Sequence, residues 1–218
     1  MPEARFFDAL RKYFPMPVDT ADSLAVKTVV EEKIPPVPRP SVEMPTKPTE
    51  IELKSDKGVD YQELQRLLQE KKWRKADIET IHRMAEALGL DQNDPIRSKA
   101  LQTFPCADLK TIDALWKHYS CGKFSYSVQK NIWQECGSPT DVGKDWDRFC
   151  ARIGWKNTNG NYSGYSKLTA DPNFSPLGEF PYCGRFVGWG RLGIWIVNIR
   201  TVSSLLARLV NCDSDFRI

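Results

Sequence analysis

Long apolar runs are missing from this sequence. No uncharged apolar stretch reaches about 18 residues, the length a helix needs to cross a bilayer, so a transmembrane helix is not expected. No basic-then-apolar leader with a small-residue cleavage site opens the chain, so export is not expected either. Charge of one sign is not in excess. With 31 Lys and Arg against 28 Asp and Glu the net charge is +3, too near neutral for bulk electrostatics to imply nucleic acid. Histidine is scarce, and His82 and His118 sit near no cysteine pair. Cysteines come singly: Cys106, Cys121, Cys136, Cys150, Cys183 and Cys212 lack the close spacing by which one tight turn aims two thiolates at a zinc ion. Reduced, largely buried thiols in a cytosol-like compartment are the expectation.

What is present changes character near residue 55. Nine of the 15 prolines fall within residues 1–50. Proline fixes φ and removes a backbone donor, so residues 15–55 read as an extended, disordered tether. Ahead of it, residues 1–14 carry Phe6, Phe7, Leu10, Tyr13 and Phe14 as one helical stripe. Residues 56–218 read as the folded domain.

In that domain the apolar period is helical. Tyr61, Leu64, Leu67 and Leu68 form one stripe; Ala76, Thr80, Ile81, Met84 and Leu88 form the next, with Gly89 as its stop. Leu109, Ile112, Leu115 and Trp116 mark a helix over 107–119. Ser127 is placed to cap a fourth, Trp146, Phe149 and Ile153 mark a fifth over 142–153, and Leu205, Leu206, Leu209 and Val210 a last one over 202–211. The spacing predicts an all-α bundle with two long loops, about 89–105 and 155–195, of a length that suggests binding. Trp116, Trp133, Trp146 and Trp155 sit in helical stripes and read as core.

Several motifs stand in register: Asp60-Tyr61…Leu64…Leu67-Leu68, Trp73-Arg-Lys-Ala76-Asp77-Ile-Glu79-Thr80, Phe104-Pro105-Cys106-Ala-Asp108-Leu109, Tyr119-Ser120-Cys-Gly122-Lys-Phe124-Ser-Tyr126-Ser127-Val128-Gln129 and Gly154-Trp155. Over residues 58–181 they resemble the genomes-uncoupled-four family. The resemblance implies a helical domain like a cupped hand. Its concave, greasy face would hold protoporphyrin IX or magnesium protoporphyrin IX. It also implies stimulation of magnesium chelatase through that enzyme's large, porphyrin-binding subunit, in a cyanobacterial cytosol or a plastid stroma. The floor residues carried over are Phe124, Tyr126 and Val128. The chain departs from the family at Tyr126, at Tyr162 and in Gly178-Glu179-Phe180-Pro181.

A porphyrin is a flat apolar disc, roughly a nanometre wide, with two propionates on one edge; it asks for aromatic faces and one or two cations. The C-terminal third supplies both. Arg185 and Arg191 are preferred for the propionates, because a guanidinium captures a carboxylate in bidentate fashion. Leu101, Phe104, Ile132, Tyr162, Tyr165 and Phe180 complete the expected porphyrin site. No resident metal and no covalent cofactor are expected.

Gly188-Trp-Gly190-Arg-Leu-Gly193 matches a dinucleotide fingerprint, but the β-branched run Ile194–Ile199 follows instead of a helix start, so a nucleotide site is rejected. Residues 186–199 read equally as a membrane-seeking flap or as a segment packed across the bundle. Asp77 and Glu79, or Asp108 and Asp113, do not share a helical face, and no nucleophile or phosphate loop appears. The expectation is a monomeric binding protein without catalysis. The alternative is a sensory or interaction module that binds haem, a bilin or no pigment.

Overall fold

Apolar residues three and four apart leave a chain little choice but to coil them onto one face. In the computed structural model, which describes residues 51–91, 94–182 and 198–214, they do so in every described segment read as helical. The helices are α1 Gln62–Gln69, α2 Trp73–Ala87, α3 Ser98–Leu101, α4 Cys106–Tyr119, α5 Tyr126–Glu135, α6 Lys144–Arg152 and α7 Ile199–Ser214. Among the described residues there is no strand, only an isolated bridge between Lys156 and Tyr162, so the all-α expectation holds. All of these residues belong to the unit Pro48–Ile218. The stripe at residues 6–14, most of the proline-rich linker, the fingerprint at 188–193 and the 186–197 part of the suggested flap lie outside the described residues.

The helix starts and stops have local causes. The cap of α5 is Ser125, whose Oγ accepts from the Val128 backbone N–H at 3.1 Å, rather than the expected Ser127. Ser127 is instead held by Asp113 of α4, whose Oδ1 accepts its backbone N–H at 2.6 Å. Burial lifts the Asp113 carboxyl above the usual carboxylate range, against the lowering effect of the Ser127 bonds. A raised native pKa means the folded chain holds this proton more tightly than the unfolded one. The penalty for ionising Asp113 is therefore absent below the ordinary value near about 3.9 and grows as pH rises through the raised one. Asp113→Asn keeps an acceptor for Ser127 and removes the charge. Its midpoint of thermal unfolding is expected to exceed that of the wild type at pH 7, with the difference vanishing below about pH 4. Parallel melting curves across that range check the sign.

The central helix is α4, touching α1, α2 and α7; α7 also packs on α3 and α5, and α6 packs on α5. Around α4 sits an aromatic core. Trp116, fully buried, stacks on Phe180 with ring centroids 6.1 Å apart and 3° between planes. Phe124 meets Trp73, Trp116 and Phe180 edge-on. The Trp116 indole N–H donates to Thr80 Oγ1 at 2.9 Å, which satisfies the one polar atom that this burial would strand. Trp146 and Trp155 are buried as expected.

At the N-terminal edge, buried Asp108 gathers residues 55–61. It accepts from Ser55 Oγ at 2.5 Å, from the Asp56 backbone N–H at 2.9 Å and from Tyr61 Oη at 2.8 Å. Burial and the Asp108 carboxylate push the Tyr61 phenol up.

The cysteines depart from expectation. Cys106, the first residue of α4, and Cys212, in the last turn of α7, form a disulfide with Cα atoms 5.5 Å apart, while Cys121, Cys136 and Cys150 are free thiols. The expectation of reduced thiols fails for this pair. Spacing rules find pairs that one turn brings together, and these two meet only because α7 returns to α4.

The 155–182 loop is built into the body of the protein. Gln129 Nε2 donates to the carbonyls of Gly178 and Pro181, each at 2.8 Å. The Arg74 guanidinium donates to the carbonyls of Tyr165 at 2.7 Å and of Leu168. Buried Glu179 accepts from the backbone N–H groups of Thr169 and Ala170, at 2.8 and 2.9 Å, and from Ser175 Oγ at 2.6 Å. Gly154 has φ +80°, and any side chain there would bring a Cβ to 2.7 Å from Pro176.

Candidate ligand-binding site

The aromatic residues expected to line a ligand are mostly enclosed. Leu101, Phe104, Phe124 and Phe180 have no exposed surface, and Tyr126 and Ile132 are buried. The Tyr126 hydroxyl, the feature that departs from the family pattern, donates inside the core to Met84 Sδ at 3.4 Å. Val128 packs on the core with partial exposure, as does Tyr165. Tyr162 alone of the described set is exposed, at 48 %; it carries the Lys156 ammonium 4.5 Å above its ring and accepts the Trp146 indole N–H at 2.8 Å. Arg185 and Arg191 lie outside the described residues. The structure thus joins Phe124 and Phe180 to each other and to Trp116, as a core.

Open space lies elsewhere, along α7. One side of this helix is apolar and buried: Val202, Leu205, Leu206, Leu209 and Cys212. The opposite side carries Arg200, Ser203, Ser204, Ala207, Arg208 and Asn211, at steps of three, one, three, one and three residues. That second stripe faces a cleft of about 360 Å³, closed on its far side by Ser98 and Gln102 of the α3 segment and floored by Trp133 and Thr140. A second hollow, of about 460 Å³, shares Ser98 and Arg200 with it and adds Pro95, Ile96, Arg97, Asn198 and Thr201.

The walls are held in place. Arg208 Nε donates to the Phe104 carbonyl at 2.8 Å. Ser203 Oγ and the Trp133 indole N–H both donate to the Pro139 carbonyl, at 2.8 and 3.0 Å. These bonds fix α7 against the 98–104 segment and the α5–α6 connection.

The charge is one-sided. Three guanidiniums, of Arg97, Arg200 and Arg208, line the joined clefts, and among the described residues no carboxylate does. A cleft lined by one sign of charge concentrates counter-ions of the other, and guanidinium groups match carboxylates in geometry. Arg97 and Arg200 are exposed and make no ion pair among the described residues. The arrangement suits an anion, and the apolar lining it offers is half-buried Ala207 with the buried Trp133 and Ile96 behind it.

A further hollow of about 360 Å³ is lined by Lys71, Lys72, Arg74 and Lys75 with Trp73, Thr169 and Ala170, and is also one-sided in charge among the described residues. Two others have mixed charge. One of about 560 Å³ lies beside Trp73, Tyr119, Lys71, Lys123 and Asp171, and one of about 510 Å³ beside Lys54, Lys110, Glu52 and Asp56. No cluster of His, Cys, Asp or Glu able to hold a metal ion occurs among the described residues.

The cleft lies where the 95–102 segment meets α7, and the sequence model of one family covers the described fold up to α7. It is described as GUN4-like and matches residues 54–195. This chain belongs to the GUN4-like family. The family expected from the motifs is therefore the one found. Relatives of this GUN4-like chain include the uncharacterized protein ycf53 of Porphyra purpurea, 32% identical over 140 residues, covering 63% of this chain and 56% of that protein. The Ycf53-like protein of Synechocystis is 35% identical over 109 residues, 49% of this chain and 44% of its own length. The chloroplastic tetrapyrrole-binding protein of Arabidopsis thaliana is 40% identical over 55 residues, covering 25% of this chain and 18% of that protein. The chain spans about half the length of the first of these relatives.

Two solved structures share the fold. GUN4 from Chlamydomonas reinhardtii superposes with a TM-score of 0.58 at 24% identity, over 73% of this chain and 96% of its own. Ligand-free GUN4 from Arabidopsis thaliana gives 0.51 at 24% identity, over 68% and 93%.

Sequence reasoning passed over Arg97, and among the cations of the C-terminal third it singled out Arg185 and Arg191 rather than Arg200 and Arg208. The signal was present: the polar residues from Arg200 to Asn211 repeat with helical period opposite the leucines.

Proposed function

We propose that this GUN4-like chain binds a tetrapyrrole that carries carboxylates, protoporphyrin IX or magnesium protoporphyrin IX, in the cleft between residues 95–102 and α7. The observation that carries the reading is a pair of joined clefts with three arginines and, among the described residues, no acid, in a family with a tetrapyrrole-binding relative. Arg97, Arg200 and Arg208 take the propionates. The disc lies against Ala207, with the buried Trp133 and Ile96 behind it, and apolar burial at about 25 cal/mol per Å² adds to the pairing of propionates with arginines. Arg185 and Arg191, from the segment that leads into α7, are further candidates for the propionate edge. The chain acts as a carrier without chemistry of its own.

In this reading the loaded protein presents its pigment to the large subunit of magnesium chelatase and raises the rate of magnesium insertion, in a cyanobacterial cytosol or a plastid stroma. Among the described residues no helix is long and apolar enough to cross a membrane.

Titration with deuteroporphyrin, a soluble analogue, tests the binding. Trp133 on the cleft floor places an emitter beside the disc, so saturable quenching of tryptophan fluorescence is expected at micromolar ligand. Quenching that stays linear to high ligand would overturn the reading. Tight binding that leaves the chelatase rate unchanged would keep the carrier and remove the chelatase.

A further inference from the structure

The disulfide sits at the cleft. Cys212 follows Asn211 and lies four residues after Arg208, both in the cleft wall on α7. Cys106 lies two residues after Phe104, whose carbonyl accepts the Arg208 Nε–H at 2.8 Å. Two clamps, one covalent and one a hydrogen bond, thus run side by side between the same two segments. Both fasten the last turns of α7 to the 98–106 segment that forms the opposite wall.

The two sulfurs differ in access. Cys212 is fully buried. Cys106 is partly exposed and lines the open hollow of about 510 Å³ together with Ala107, Lys110 and Thr111. Among the described residues, the hollow beside Cys106 is the side from which a thiol can approach, and exchange depends on which sulfur is reachable. The rest of α7 does not need the bond to stay docked, because Val202, Leu205, Leu206 and Leu209 are buried in the core.

We infer that the Cys106–Cys212 disulfide is a reducible latch that sets the rigidity of the cleft wall and so the affinity of the site. The reductant is a dithiol. One of its thiolates attacks Sγ of Cys106, the S–S bond breaks, and Cys212 leaves as a thiolate that takes up a proton. The second thiol then attacks the mixed disulfide, frees Cys106 and closes the reductant into its own disulfide. Two electrons and two protons pass from the dithiol to the cysteine pair. Oxidised, the wall is pre-organised for the ligand; reduced, the last turns of α7 move more freely and ordering them opposes binding. The affinity half of this inference rests on the tetrapyrrole reading, and the mobility half does not.

The test uses the full chain purified without reductant, before and after dithiothreitol, with the Cys106→Ser/Cys212→Ser variant beside it. Thiol titration under denaturing conditions should rise by two on reduction. Hydrogen exchange at residues 209–214 and 98–104 should quicken by about tenfold, while residues 112–116 in the aromatic core stay protected. The Kd for deuteroporphyrin should rise by about fivefold, and the variant should match the reduced state and ignore dithiothreitol. Thiol numbers that do not rise, or exchange and Kd that stay the same after a confirmed rise, overturn the latch. So does loss of the whole circular-dichroism signal on reduction, since that marks a staple for the entire fold. Faster exchange at α7 with no porphyrin bound in either state upholds the latch and overturns the tetrapyrrole reading alone.

Discussion

Trp116→Ala is expected to lower the free energy of unfolding by about 4 kcal/mol, a large share of the roughly 5–15 kcal/mol that holds a domain together. The indole is fully buried, stacks on Phe180, meets Trp73 and Phe124, and donates to Thr80. Its removal leaves a hole that neighbouring rings cannot fill without leaving their own contacts. Trp116→Phe keeps most of the ring and loses the Thr80 bond, so its cost should be about 1–2 kcal/mol. Denaturant melts followed by circular dichroism measure both. An alanine variant within about 1 kcal/mol of wild type would mean that Phe124 and Phe180 are not packed as described, and would reopen them as ligand contacts.

The second large effect concerns the site. Arg97→Glu combined with Arg200→Glu is expected to weaken deuteroporphyrin binding by about a hundredfold, because two attractive partners of the propionates become repulsive ones. Both side chains are exposed and in no ion pair among the described residues, so folding stability should change by no more than about 0.5 kcal/mol. Arg208 is a poorer choice, since its bond to Phe104 also holds the cleft wall. A double variant that binds as tightly as wild type would place the ligand elsewhere, and the hollow beside Trp73, Tyr119, Lys71 and Lys123 would be next to examine.

Much of the fold was legible because helices announce themselves by period. Leu64, Leu67 and Leu68, or Leu109, Ile112, Leu115 and Trp116, have no arrangement but a helix that hides them together. The helix over 202–211 was found too, though it runs from Ile199 to Ser214. The family motifs were legible for a related reason, since several in register constrain one another.

Aromatic residues were harder to place. Phe124 and Phe180 stand near glycines in irregular chain, and a ring that closes a core looks the same in sequence as one that lines a pocket. What decides is where Gln129 and Glu179 draw the loop, through bonds to residues tens of positions away or to backbone that local pattern does not mark. The disulfide was hidden for the same reason, with its halves 106 residues apart. The arginine-lined cleft lay between these extremes. Its stripe on α7 follows the helical period, but its opposite wall, with Arg97 and Ser98, comes from a loop and a four-residue helix too short to carry a signal.

In the proposed complex the pigment sits between the 95–102 segment and α7. A crystal structure of the chain with deuteroporphyrin tests this placement most directly. The macrocycle is expected beside Trp133 and Ala207, with propionate oxygens about 3 Å from the guanidinium nitrogens of Arg97, Arg200 or Arg208. A macrocycle found elsewhere on the protein, with those three arginines facing only water, would contradict it.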